Sequence, residues 1–181
     1  MERKVIWNDA LRTGLVLGGI SIVYTVINIL LGKLQGGAAV GVLVNVSGIL
    51  LWIFKFILCI RLFKVFMQKF ACAHEGVTNG DTFRYGMAMA VLSAVLYSAF
   101  YLAWVTLIQP DMLKDSIDLA REAYANIFTS EQLEAFDELG PKLPGMTFFA
   151  NLIYCTLFGT VLSAIFSRNI PPRNPFSQPQ E

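Results

Sequence analysis

Acidic residues are missing from every long apolar stretch of this chain. Charge is scarce throughout: 15% of the 181 residues are charged and 55% are hydrophobic. A soluble domain carries about 25% charged residues, so an ordinary water-soluble fold is excluded. Histidine occurs once, as His74, which excludes a multi-histidine metal site built from one chain. The three cysteines, Cys59, Cys72 and Cys155, form no Cys-x-x-Cys pair and read as small apolar fillers with free thiols. A formal net charge of +1 gives no argument for a nucleic-acid partner. No P-loop, G-x-S-x-G or H-E-x-x-H motif occurs, and no span holds paired carboxylates. The sequence therefore points to no enzyme, no metal site and no cofactor, and His74 reads as loop surface.

What is present is hydrophobic length. Mean hydropathy is +0.57, and four apolar stretches reach the roughly 20 residues that cross a bilayer. They are Thr13–Leu31, Gly41–Ile60, Tyr85–Ile108 and Met146–Phe166. Backbone groups in lipid must bond within their own segment, so each is expected as a helix. The first has a longer apolar core than a cleaved signal peptide and follows a polar segment, so it is expected to be retained. The fold class is all-α: a four-transmembrane-helix bundle over residues 1–170, followed by a Pro-rich tail, 171–181.

Orientation follows from Lys and Arg outside the spans. Arg3, Lys4, Arg12, Arg61, Lys64, Lys69, Arg84, Arg168 and Arg173 fall on one side, and Lys33, Lys114, Arg121 and Lys142 on the other. Nine against four places both termini in the cytoplasm. The external 109–145 loop holds eight acidic and three basic residues. Pro110 and Asp111 suit a helix start, with Leu113, Ile117, Ala120, Tyr124 and Ile127 at helical spacing. A second start, FTSEQLEAF, places Thr129 and Gln132 as a capping box, and Gly140–Pro141 stops it. The loop is thus an amphipathic helical segment between helices 3 and 4, resting on the membrane face or on the bundle.

Lys55 is the one charged residue inside a span. As fifteenth residue of its span it lies ~7 Å from the midplane on the cytoplasmic side, near enough for its stem to reach the interface. Only Asp9 and Asp81, at cytoplasmic helix ends, come near enough to be its acidic partners. Two readings stay open: an anchored lysine, or a contact to an anion or a lipid phosphate. Gly41, Asn45, Gly48, Trp52, Lys55 and Cys59 share one helical stripe, and Gly14, Gly18, Ser21, Thr25, Asn28 and Gly32 share another. The third span offers Gly86, Ala90, Ser93 and Tyr97, and the fourth Asn151, Cys155, Gly159 and Ser163. Small and polar residues let membrane helices approach, so Gly14, Gly18, Asn28, Gly48 and Gly159 are expected at helix contacts. Past Ile60, Arg61, Lys64 and Gln68 oppose Leu62, Phe63, Phe66 and Phe70, a pattern expected to lie along an anionic leaflet. Asn79-Gly80-Asp81 reads as a turn, with Asp81 capping the third helix.

Several features occur together in order: Trp7 with Ala10 and Gly14–Leu15, FRYGMAMAVLSAV, Gln109-Pro110-Asp111, TSEQLEAF, a proline before the fourth span, and GTVLSAIFSR. In this arrangement the chain resembles the bacterial integral-membrane family catalogued as domain of unknown function 4199. The resemblance implies a four-helix inner-membrane protein with cytoplasmic termini and no assigned activity, and it carries no site residues. The expected role is a structural or accessory subunit of a membrane complex. The alternative is a small oligomeric transporter or lipid-handling protein that turns Lys55 toward an anionic group. Expected partners are the lipid bilayer and either another membrane protein or a second copy of the chain.

Overall fold

The structure, a computed structural model, describes residues 3–33, 38–74, 76–124, 127, 129 and 138–170. The second helix start read in the external loop lies outside the described residues apart from Thr129, and so does the 171–181 tail. Every regular element among the described residues is helical: α1 (Arg3–Gly32), α2 (Ala38–Ala73), α3 (Asn79–Ala103), α4 (Asp111–Tyr124) and α5 (Leu143–Asn169). A π-helical turn, Trp104–Ile108, extends α3, and a 3-10 turn, Gly140–Lys142, leads into α5. Four of these helices are long and apolar enough to cross a membrane. Each exceeds its apolar stretch because the helical pattern runs on into the polar flanks. With 36 residues, α2 is ~54 Å long at ~1.5 Å per residue, well beyond the ~30 Å hydrocarbon core.

The α3 helix is the hub, packed on one side by α1 and on the other by α5, while α2 leans on α1 and touches α3 and α5 only lightly. Two tyrosine–threonine contacts set the first pairing. Thr13 Oγ1 lies 2.9 Å from Tyr85 OH, Thr25 Oγ1 lies 3.5 Å from Tyr97 OH, and both pairs are 72 residues apart. Equal offsets mean that α1 and α3 run parallel. Gly14 and Gly18 open the space between them: a Cβ at Gly14 would meet Leu92 and the Met89 carbonyl, and one at Gly18 would press into Leu96.

The α3–α5 pairing is antiparallel and built from small residues. A Cβ at Gly86 would strike Ser163, and one at Gly159 would land on Ala90. As one index rises by four the other falls by four, so the same register carries Thr82 to Ser167, Ala94 to Cys155 and Ser98 to Asn151. On α3, Thr82, Gly86, Ala90, Ala94 and Ser98 are all buried. Close backbone approach gains dispersion contacts that lipid cannot supply. The expected third-span stripe therefore divides into two faces. Gly86 and Ala90 meet α5, whereas Ser93 and Tyr97 turn toward α1.

The C-terminal half of α2 departs from the expectation that its apolar side meets a leaflet. Phe63, Met67 and Phe70 are buried in one core with Ile6, Ala10, Tyr85 and Met89, and the Phe70 ring stacks on Tyr85 at 4.1 Å. The amphipathic pattern is the one read from the sequence, with Arg61, Lys64 and Gln68 exposed. The apolar side is covered by protein because the first turns of α1 and α3 run alongside it.

The α2–α3 connection also differs. Its tight turn is at Gly76, whose φ of +72° is open to glycine and strained for other residues. Asn79-Gly80-Asp81 is already the first turn of α3, and Thr78, not Asp81, is the N-cap. The Thr78 side chain accepts from the Asp81 amide, while the Asp81 carboxylate accepts from the Thr78 amide and hydroxyl. This reciprocal box satisfies donors that a helix start otherwise leaves open.

Candidate functional site: an intramembrane cleft at Lys55

Because α2 leans away from α5, a cleft of about 160 Å³ remains between them, floored by α1 and α3. Lys55 and Cys59 reach it from α2, Ser21 from α1, Ser93 from α3, and Cys155 from α5. Its rim is aromatic. Trp52 stacks on Phe56 at 5.5 Å, Phe56 meets Phe158 at 5.6 Å, and Phe158 stacks on Tyr154 at 6.3 Å. Trp52 and Tyr154 are more than half exposed on the outside of the bundle, so the rim opens onto its outer surface.

Lys55 does not extend toward the C-terminal end of α2, the direction expected for an anchored lysine. Its Nζ sits 5.1 Å from the Tyr24 ring centre and 5.7 Å from that of Tyr97. Both distances fall within the ~6 Å over which a ring quadrupole attracts a cation, an effect of about 0.5–2 kcal/mol. The direction has a simple cause. Side chains tilt toward the N-terminus of their helix, and Lys55 follows that tilt along α2. Neighbouring contacts fix the level: Gly48 lies against Asn28, and the Lys55 ammonium lies over the Tyr24 ring. Lys55 is thus level with the middle of the Thr13–Leu31 stretch, deeper than counting along its own span suggested.

Neither acid expected near Lys55 is there. Asp9 accepts from His74 Nε2 at 3.0 Å, and Asp81 is held in the Thr78 box. His74 is accordingly more than loop surface: it is half-buried, packs edge-on against Phe70 at 5.1 Å, and ties the end of α2 to α1. Nothing in a lone histidine and a distant aspartate signals such a pair in the sequence.

The residues expected at helix contacts divide by tightness. Gly14, Gly18 and Gly159 have neighbouring atoms where a side chain would begin. Gly48 faces only the Asn28 side chain, with 3.3 Å between its added Cβ and Oδ1. Gly32 and Gly41, from the same two stripes, border open space.

At the C-terminal end of α3 a second feature appears that the sequence did not announce. The Trp104 indole N–H and the Gln109 side-chain oxygen are buried without hydrogen-bond partners among the described residues, and so is Ser98 Oγ deeper in α3. Trp104 and Gln109 flank the π-helical turn, whose last bond runs from the Gln109 amide to the Trp104 carbonyl at 2.9 Å.

Neither the curated proteins nor the solved structures contain a match to this chain. A family model does match it over residues 12–168, a range that takes in most or all of each of the four long helices and every residue of the cleft. The chain belongs to the family described as "Protein of unknown function (DUF4199)".

Proposed function

We propose that this multi-pass membrane protein handles a lipid-soluble ligand, drawing its anionic group from the bilayer into the cleft beside Lys55. One observation carries the reading: the single charged side chain of the four apolar stretches lines a lipid-facing cleft, and no carboxylate lies within those stretches. A lysine that only anchored a helix end would place its ammonium at the interface, where water solvates it cheaply. At mid-depth it costs ~2.5–3.5 kcal/mol on insertion scales, and the two tyrosine faces offset part of that. An anion from the membrane would offset the rest. The reading involves no catalysis and no cofactor, in keeping with the lack of any catalytic motif in the sequence. The nine-to-four Lys/Arg bias supports cytoplasmic termini in a bacterial inner membrane.

Native mass spectrometry of the purified protein tests this by counting bound anionic amphiphiles. Loss of one in Lys55→Met, with recovery in Lys55→Arg, is expected. An unchanged count across the three proteins would overturn it.

An accessory role in a larger complex is the second reading, favoured by α4. Asp111, Asp115, Asp118 and Glu122 are exposed on that helix, an acidic surface suited to a basic partner on the external side. Pull-down through the intact protein, compared with a variant carrying Asn or Gln at those four positions, separates this role from the first.

A further inference from the structure

The cleft has a depth, a size and a charge, and together they select among anionic lipids. Its one cation sits level with the middle of the apolar Thr13–Leu31 stretch, beside Tyr24, which puts it ~15 Å from either interface of a ~30 Å core. A bilayer phospholipid holds its phosphate at the interface through its glycerol and both ester groups, so its phosphate does not descend to Lys55. The cleft of about 160 Å³ admits a carboxyl group and its first methylenes.

Charge and hydrogen bonding agree. A carboxylate brings one negative charge to one ammonium, leaving the cleft neutral, whereas a phosphate monoester at up to two charges leaves an excess in hydrocarbon. Of the two carboxylate oxygens, one takes the Lys55 ammonium. The other enters a cleft whose lining includes two hydroxyl residues, Ser21 and Ser93. The aromatic rim of Trp52, Phe56, Phe158 and Tyr154 then offers flat apolar surface to a single acyl chain leaving the mouth.

We infer that the ligand is a single-chain amphiphile with a terminal carboxylate, of the fatty-acid class, its head held by Lys55 and its chain leaving over the aromatic rim. This rests on the lipid-handling reading above. Trp52 lines the cleft and reports on it. With Trp7→Phe and Trp104→Phe in place, Trp52 is the only tryptophan. The protein is placed in phosphatidylcholine nanodiscs and titrated with three probes brominated on the chain near the head: a fatty acid, the matching fatty alcohol, and a phosphatidic acid. Saturable quenching by the acid alone is expected. Lys55→Met weakens it about tenfold, the value of one charge-assisted hydrogen bond, and Lys55→Arg retains it.

Each other result has one meaning. Equal saturation by the alcohol, or saturation by phosphatidic acid, overturns the carboxylate assignment while leaving a ligand cleft in place. Absence of saturable quenching by any probe overturns both the assignment and the reading beneath it. Should Lys55→Met fail to fold, the acid–alcohol comparison on the Lys55 protein decides alone.

Discussion

The Tyr85 hydroxyl lies 2.9 Å from Thr13 Oγ1, and that hydroxyl in turn donates to the Asp9 carbonyl at 2.9 Å. With the one Thr13 proton committed to the backbone, Tyr85 is the donor in their shared bond. The same tyrosine ring stacks on Phe70 of α2. One side chain therefore joins three helices at the end where α1 and α3 begin, and the Asp9–His74 pair closes the same corner.

Removing only the hydroxyl separates these roles. Tyr85→Phe keeps the stack and loses one hydrogen bond, an expected cost of about 0.5–1.5 kcal/mol. Tyr85→Ala also empties a fully buried site and is expected to cost about 3–5 kcal/mol. Reversible unfolding in mixed detergent micelles measures both. Equal losses for the two variants would mean that the ring contributes nothing.

The glycines make a graded set. Gly159→Leu and Gly18→Leu drive side chains into Ala90 and Leu96 and are expected to destabilise by several kcal/mol, at or above the ~1–3 kcal/mol typical of overpacking. Gly48→Leu meets only the movable Asn28 side chain and should cost less. Gly19→Leu and Gly41→Leu, with nothing within 4 Å, should be neutral or slightly stabilising through helix propensity. A ranking that puts Gly41 with Gly159 would be incompatible with this packing.

The Asp9–His74 contact is partly exposed, with side chains 37% and 28% accessible. Its coupling is expected to stay within ~1 kcal/mol, as for other solvent-reachable pairs. A double-mutant cycle of Asp9→Asn and His74→Ala gives that coupling. Hydrogen exchange should show faster opening at the α2 terminus in either variant while the rest of the bundle is unchanged. Global acceleration would assign the pair a larger role than a local clasp.

Topology has its own test. Cys72 is exposed at the end of α2, and Ser116 is exposed on α4. An impermeant thiol reagent applied to intact cells should label Ser116→Cys, in a background with Cys72 as Ser, and should leave Cys72 of the unsubstituted chain unlabelled until the membrane is opened. The reverse pattern would invert the assignment made from the Lys and Arg count.

Much of this architecture was legible because lipid imposes simple rules. Length and hydropathy mark the spans, and four-residue spacing of small residues marks where helices meet. What the sequence hides is which stripe meets which helix. Ser93 and Tyr97 read as one stripe with Gly86 and Ala90, yet they serve a different neighbour, since adjacent faces of one helix differ by a single residue step. Phe63, Met67 and Phe70 likewise look the same whether an apolar face meets lipid or protein. Lys55 was conspicuous from the start, but the rings that its ammonium meets depend on the pose of Tyr24 and Tyr97, which no spacing rule supplies.

Those two rings give the last prediction. If Lys55 is held by ring faces, aromatic character at position 24 should matter and the hydroxyl should not. Tyr24→Phe keeps the quadrupole and is expected to be nearly silent, whereas Tyr24→Leu loses it. The loss should appear as coupling: Tyr24→Leu costs about 0.5–2 kcal/mol with Lys55 present and much less in a Lys55→Met background, where no cation remains to be held. The four proteins of that cycle, unfolded in the same micelles, isolate the term from any packing change common to both backgrounds. Identical costs in the two backgrounds would show that Tyr24 packs without holding the ammonium, and Lys55 would then need another source of support at mid-depth.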